Sequence, residues 1–205
     1  SMAARLSYQQ SKNATYRKQG KKQTDERLPF GIESLDRLLH ASGKGGLVRN
    51  STTLVIGERG TKKTVTALHF LAAGIKEQEK GLMISLKDDE AAIRAVAQGY
   101  RVLRPYFSNE SEYLQIEHLW PSYVASGNFL NRIYDWIEKS NRQIERVVFD
   151  NYAQLMLRFP LLDADPMLVP TLVDLFKMKG ITSLFIDIVE EPGKAVWEYK
   201  SPVLD

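Results

Sequence analysis

The chain contains no cysteine. Disulfides, thiolate nucleophiles and cysteine-ligated zinc or iron–sulfur centres are thereby excluded. Histidine is scarce. His40, His69 and His118 lie far apart in the sequence, and no pair has the spacing that would seed a histidine metal site. No apolar run approaches the roughly 18 residues that a membrane-spanning helix needs. No secretory leader pattern opens the chain. These absences predict a cytoplasmic location and no membrane partner. Hydrophobic side chains are not in short supply. They form 43% of the 205 residues against 26% charged, which excludes a mostly disordered chain and suits one domain of ordinary size.

The formal net charge is +3, and its distribution matters more than its size. Residues 1–27 carry seven basic side chains (Arg5, Lys12, Arg17, Lys18, Lys21, Lys22, Arg27) against Asp25 and Glu26. That is a net of +5, which leaves residues 28–205 at −2. The basic character therefore belongs to the start of the chain. Residues 1–26 are polar and lack helical or strand periodicity, so they read as a flexible basic extension. Residues 27–205 read as the folded domain.

Within that domain, helical and strand patterns alternate. Ile32, Leu35, Leu38 and Leu39 mark a short amphipathic helix over 31–39, and the glycine-rich stretch 42–46 a turn. The β-branched run 52–56 is a buried strand stopped by Gly57. Helical spacing follows over 63–78, a strand over 81–86, and a helix over 88–98 opened by acidic residues that suit its dipole. A strand at 113–119, a helix at 129–137, a strand at 146–150, a helix at 166–179 and a strand at 181–188 continue the series. An edge-like strand at 195–200 ends it. Short apolar strands alternating with helices predict an α/β fold whose mostly parallel sheet is covered on both faces. In such folds ligands sit at the carboxyl ends of strands. That points to 57–64, Lys87 and Asp88, Asp150 and Asn151, and Asp187.

Gly57-Glu58-Arg59-Gly60-Thr61-Lys62-Lys63-Thr64 lies between a predicted strand and a predicted helix. Backbone N–H groups of such a loop point at an anion, and the helix dipole adds to the attraction. Lys63 would reach the β- and γ-phosphates of a nucleotide, and the Thr64 hydroxyl would hold Mg²⁺. Asp150, ending the run Val147-Val148-Phe149, would hold the metal with it. Gly57, Gly60, Thr61 and Lys62 complete the cradle. The loop departs from G-x-x-x-x-G-K-[ST] at position 62, where lysine replaces the glycine that a tight turn favours. A negative φ at Lys62 would let lysine fit and lend its charge to an anion. Otherwise the loop keeps an inherited shape and binds nothing. Both readings stand on the sequence.

Four stretches in this order carry a resemblance. They are Arg27-Leu28-Pro29-Phe30-Gly31-Ile32-Glu33-Ser34-Leu35-Asp36-Arg37-Leu38-Leu39, then Leu54-Val55-Ile56-Gly57 with its loop. Gly81-Leu82-Met83-Ile84-Ser85-Leu86 with Ile93-Arg94 follows, and then Arg146-Val147-Val148-Phe149-Asp150-Asn151. Over about residues 27–190 the chain resembles the KaiC-like branch of the RecA superfamily of ATPases. The resemblance implies a three-layer RecA-like phosphate-loop fold, ATP with Mg²⁺ as cofactors, and self-association through RecA-type subunit interfaces. It maps the phosphate and metal ligands onto Lys63, Thr64 and Asp150. The family's paired catalytic glutamates fall on Lys87 and Asp88. One carboxylate is thus an ammonium and the other is shorter by a methylene. Asp88 and the metal-holding Asp150 are the catalytic candidates, with Asp89 and Glu90 as neighbours able to substitute for Asp88. Little sequence follows the last predicted strand by comparison with the family, which suggests a fragment of a longer protein or a different interface.

Three readings follow. The first is a degenerate member acting as a nucleotide-responsive or structural regulatory module, with weak or no hydrolysis and other proteins as partners. The second is a slow but genuine Mg-ATPase in which Asp88 orients water. The third is an accessory protein that binds nucleic acid through residues 5–22, where Tyr8 and Tyr16 interleave with the basic side chains. Among other residues, Trp136 reads as core, His69 as packed or solvated, and Trp120-Pro121-Ser122-Tyr123 as packing. Asp187, with Glu190 and Glu191, reads as an exposed strand-end cluster.

Overall fold

The computed structural model describes residues 26–39, 45–108, 111–120, 129–140, 143–151 and 168–188. Five strands form its main sheet: β3 (Thr52–Gly57), β4 (Lys80–Ser85), β5 (Leu114–His118), β6 (Ile144–Asp150) and β7 (Thr182–Ile188). Their spatial order is β3-β7-β6-β4-β5, and every pairing is parallel. Parallel pairing demands crossovers, and helices supply them. They are α2 (Lys63–Lys76), α3 (Glu90–Gln98), α4 (Arg104–Phe107), α5 (Phe129–Glu138) and α6 (Leu168–Met178). Ahead of them, α1 (Glu33–Leu39) lies between β1 (Arg27–Leu28) and β2 (Leu47–Val48), which pair antiparallel.

The period of two along each strand sorts side chains into two cores. Met83, Val148, Leu184 and Ile186 pack with Leu68, Leu71, Ile93, Ala97 and Phe107 from α2, α3 and α4. Leu82, Ile84, Val147, Phe149 and Phe185 pack with Ile133, Trp136, Leu172 and Phe176 from α5 and α6. The expected helix–sheet–helix layering is what the chain builds. Trp136 is core, as its apolar helical face predicts.

Differences from the sequence reading are local. Helix α3 begins at Glu90 rather than Asp88 because Asp89 is its N-cap, its side chain accepting from Ala92 N at 2.9 Å. The two-residue ladder β1–β2 and the single turn α4 are too short to leave a periodic signal. Leu38, placed on the buried face of α1 by its spacing, is 83% exposed, while Ile32 and Leu35 pack against the core. The predicted turn at 42–44, the strand at 195–200 and the basic extension lie outside the described residues, apart from Glu26.

The end of the sheet opposite the ligand side is tied by a buried ion network. Arg146 of β6 is fully buried. Its guanidinium meets Glu79 at 2.6 and 2.7 Å and donates to Phe70 O at 2.9 Å and Pro29 O at 2.8 Å. Glu79 also pairs with Arg49, at 2.8 Å. One side chain thus joins β6, helix α2, the start of β4 and the lead-in strand. Gly74 of α2 leaves room for it, since a Cβ there would stand 2.7 Å from Arg146 Cδ. The lead-in is held from the other side by Asp36, which accepts from Phe30 N at 2.6 Å and Gly31 N at 3.1 Å. Gly31 has φ +92, and a Cβ there would meet His69 O at 2.6 Å. These contacts give a physical reason for Gly31 and Asp36 in the lead-in.

Candidate functional site

Strand β3 ends at Gly57, the chain turns through 58–62, and α2 begins at Lys63. The predicted strand–loop–helix is therefore present, at the carboxyl edge of the sheet. The loop is organised from within. Thr61 Oγ1 donates to Glu58 O at 2.9 Å, and Lys63 Nζ donates to Gly57 O at 2.7 Å and Glu58 O at 2.6 Å. Burial holds the Lys63 ammonium below its ordinary pKa, partly offset by Asp150 and Asp187. Gly60 turns at φ +81.

Lys62 adopts φ +65, ψ 24, in the left-handed region. A negative φ there was the condition under which lysine fits without strain, and the structure does not meet it. The backbone keeps the conformation that favours glycine, and a β-carbon tolerates it at a cost of about 1–2 kcal/mol. Its side chain is exposed and lines the cleft. Lys62→Gly should therefore raise stability by up to about 1 kcal/mol, part of the relieved strain being offset by glycine's unfolded-state entropy. Urea denaturation midpoints at an unchanged slope would show it. A loss of stability would contradict the strain.

Asp150 ends β6, separated from β3 by the single strand β7. Helix α2 leans across, so that Thr64 Oγ1 donates to Asp150 Oδ2 at 2.6 Å. Asp150 is 9% exposed, and desolvation pushes its carboxyl above the ordinary value near 3.8, against the lowering effect of the Thr64 hydrogen bond. The peptide bond from Asp150 to Asn151 is cis. A carboxylate and a hydroxyl side by side are hard oxygen donors. They suit Mg²⁺, which is bound through one or two carboxylates with phosphate oxygens completing its shell. Among the described residues no group of three or more His, Asp or Glu side chains gathers to cage a metal without such help.

The raised Asp150 pKa has a consequence for stability. Between the unfolded pKa near 3.8 and the higher folded one, the folded chain binds more protons, so stability falls as pH rises through that window. Above it, the buried charge is a standing cost. Asp150→Asn keeps an acceptor for Thr64 and removes the charge. It should raise stability at neutral pH by about 0.5–2 kcal/mol, with no gain below the unfolded pKa. Thermal unfolding of both proteins across pH checks this. A destabilised variant at neutral pH would contradict it.

The turn after β4 carries the pair that the resemblance maps to catalytic carboxylates. The Lys87 ammonium lies 3.8 Å from Asp88 Oδ2. Asp88 N is bonded by Ser85 Oγ, and Asp88 O meets His118 Nδ1, each at 3.0 Å. The two neighbours offered as substitutes are occupied: Asp89 caps α3, and Glu90 pairs with Arg94 at 2.7 Å. Asp88 is left as the one carboxylate of this turn that lines the cleft. That cleft, about 470 Å³, also takes in Arg59, Lys63, Thr64 and Asp150, with Val96 and Tyr100 as an apolar wall. Its volume falls in the range of small-molecule sites.

Two other expectations are corrected. Asp187 is fully buried rather than part of an exposed cluster. It pairs in register with Ile56 in the middle of the sheet, between cleft-lining Ile186 and Ile188, so it faces the α5–α6 layer. Glu190 and Glu191, which suggested exposure, lie outside the described residues. Trp120 is 55% exposed, with its ring against His118, rather than packed away. His69 is half-buried, and burial lowers its pKa. Among the described residues no helix is long and apolar enough to cross a membrane.

A parallel sheet carrying this loop and a strand-end aspartate is the architecture of the phosphate-loop class. The family model described as "ATPase: KaiC" matches residues 28–200, and the chain belongs to that family. It is 39% identical over 69 residues to the circadian clock oscillator protein KaiC of Prochlorococcus marinus, covering 33% of this chain and 13% of that one. It is 31% identical over 75 residues to the UPF0273 protein MK0039 of Methanopyrus kandleri, covering 37% of this chain and 28% of that one. It is 26% identical over 176 residues to the UPF0273 protein PH0284 of Pyrococcus horikoshii, covering 80% and 68%. The chain thus spans only a small part of the KaiC relative.

Proposed function

We propose that this chain is a nucleotide-responsive regulatory module that binds ATP with Mg²⁺ at residues 57–64 and hydrolyses it weakly or not at all. The observation that carries the reading is the Thr64–Asp150 contact at 2.6 Å beside a loop organised around Lys63. Gly57, Gly60, Thr61 and Lys62 shape the cradle. Lys63 serves the phosphates. Thr64 and Asp150 would hold Mg²⁺, whose chemistry is to neutralise phosphate charge. Beside the metal-holding Asp150, Asp88 is the candidate for activating water, and a water-activating group is sensitive to displacements of about 1 Å. Here it is short by a methylene and faces a lysine at 3.8 Å. Occupancy of the loop would bias an interface between copies of this chain, or with another protein, in the cytoplasm. Relatives named circadian clock proteins support the regulatory part of this reading.

Phosphate release from saturating Mg-ATP, compared between the wild type and Lys63→Ala, tests the reading. Wild-type release at, or only slightly above, the Lys63→Ala background is expected. Robust release that Lys63→Ala abolishes would overturn the weak-hydrolysis claim in favour of a genuine ATPase working through Asp88.

A further inference from the structure

We propose that Lys87 is the residue by which this cleft tells a nucleoside triphosphate from a diphosphate. The inference rests on the nucleotide-binding reading above and adds what the occupant's last phosphate meets.

The sheet register sets the position. Ser85 pairs with Asp150, and Leu86 N donates to Asp150 O at 2.8 Å. Lys87 therefore leaves the sheet at the level of the Asp150 carboxylate. The loop departs from β3, and Lys87 follows β4, three strands away across the cleft mouth. At about 4.8 Å per strand, a span on the order of 14 Å separates the two strands. Both line the same cleft.

The base of the side chain is fixed and its tip is accessible. Hydrogen bonds on both sides of Asp88 pin the turn, to Ser85 and to His118. The Lys87 side chain is 66% exposed, and its contact with Asp88 is a loose surface pair, weak enough for a phosphate to displace. Lys87 and Asp88 act on Asp150 in opposite senses, which places both within electrostatic reach of it.

Division of labour follows from this placement. The loop's backbone donors cradle the inner phosphates, which di- and triphosphates share. With the inner phosphates on the loop, a third phosphate would lie further into the cleft that Lys87 and Asp150 also line. There the family pattern offers a carboxylate, and this chain offers an ammonium. A carboxylate would repel the phosphate and could accept a proton from water. A protonated lysine attracts the phosphate and accepts no proton. The same substitution that removes a base therefore supplies a clamp specific for the third phosphate.

The test is a pair of dissociation constants measured with Mg²⁺ on the full chain, for ADP and for the non-hydrolysable triphosphate AMP-PNP. The wild type should favour AMP-PNP by tenfold or more. Lys87→Gln should reduce that preference about tenfold, the equivalent of about 1.4 kcal/mol. Lys87→Arg should retain most of it. An affinity ratio that Lys87→Gln does not move, in a protein that binds nucleotide, would overturn the role of Lys87 alone. A wild type that binds neither nucleotide would overturn the nucleotide reading and this inference with it.

Discussion

Arg146→Met is expected to lower the stability of the domain by about 3–5 kcal/mol, the usual cost of breaking a buried ion pair from one side. The guanidinium is fully buried and makes four contacts with three acceptors, Glu79 Oε2 (twice), Phe70 O and Pro29 O. Methionine fills much of the volume but donates nothing. The buried Phe70 carbonyl and the part-buried Pro29 carbonyl lose a charged donor, and Glu79 keeps Arg49. Against a total stability of about 5–15 kcal/mol the loss is large. For a chain of this length it corresponds to a fall in Tm of about 6–20 °C. Scanning calorimetry reads it directly. A fall under about 2 °C would show that the network is not what ties the lead-in to the sheet.

Lys63→Ala should have the largest effect on ligand binding. The ammonium is already held inside the loop by Gly57 O and Glu58 O, so it is in place before any ligand arrives. Charge-assisted contacts to phosphate are worth about 1.5–3 kcal/mol each, so losing them should weaken nucleotide binding about 100-fold or more. At a Mg-ATP concentration 100 times the wild-type Kd, the wild type gains about 2.7 kcal/mol of stability. That is a rise in Tm of about 5–10 °C. At the same concentration the variant should gain only about 0.4 kcal/mol and shift by about 1 °C. Equal shifts in the two proteins would place the nucleotide elsewhere.

Much of the architecture was legible in the residues. Apolar runs such as Val147-Val148-Phe149 and Leu82-Met83-Ile84 are buried on both faces, and a parallel sheet demands such runs. The loop and its strand-end aspartate were legible because their chemistry needs particular residue types next to one another. What escaped depends on distance in sequence. Arg146 and Glu79 are 67 residues apart, and nothing local marks either as buried. Asp187 looked exposed because its neighbours in sequence are acidic, but it is buried in β7, paired with Ile56 of β3. The sequence left open whether Lys62 takes a negative φ, because a backbone angle is not written in a residue type, and the structure gives it the left-handed one. The remaining carboxylates of the second turn could not be assigned from spacing alone. Only the capping bond of Asp89 and the Glu90–Arg94 pair show that they are committed elsewhere.

The loop at 57–64, with Asp150, is proposed to hold a nucleotide. Isothermal titration of Mg-ATP into the full chain tests it most directly. The predicted result is a single saturable binding event with one nucleotide per chain. Absence of binding heat, at temperatures on both sides of 25 °C so that a zero enthalpy cannot hide it, would contradict it.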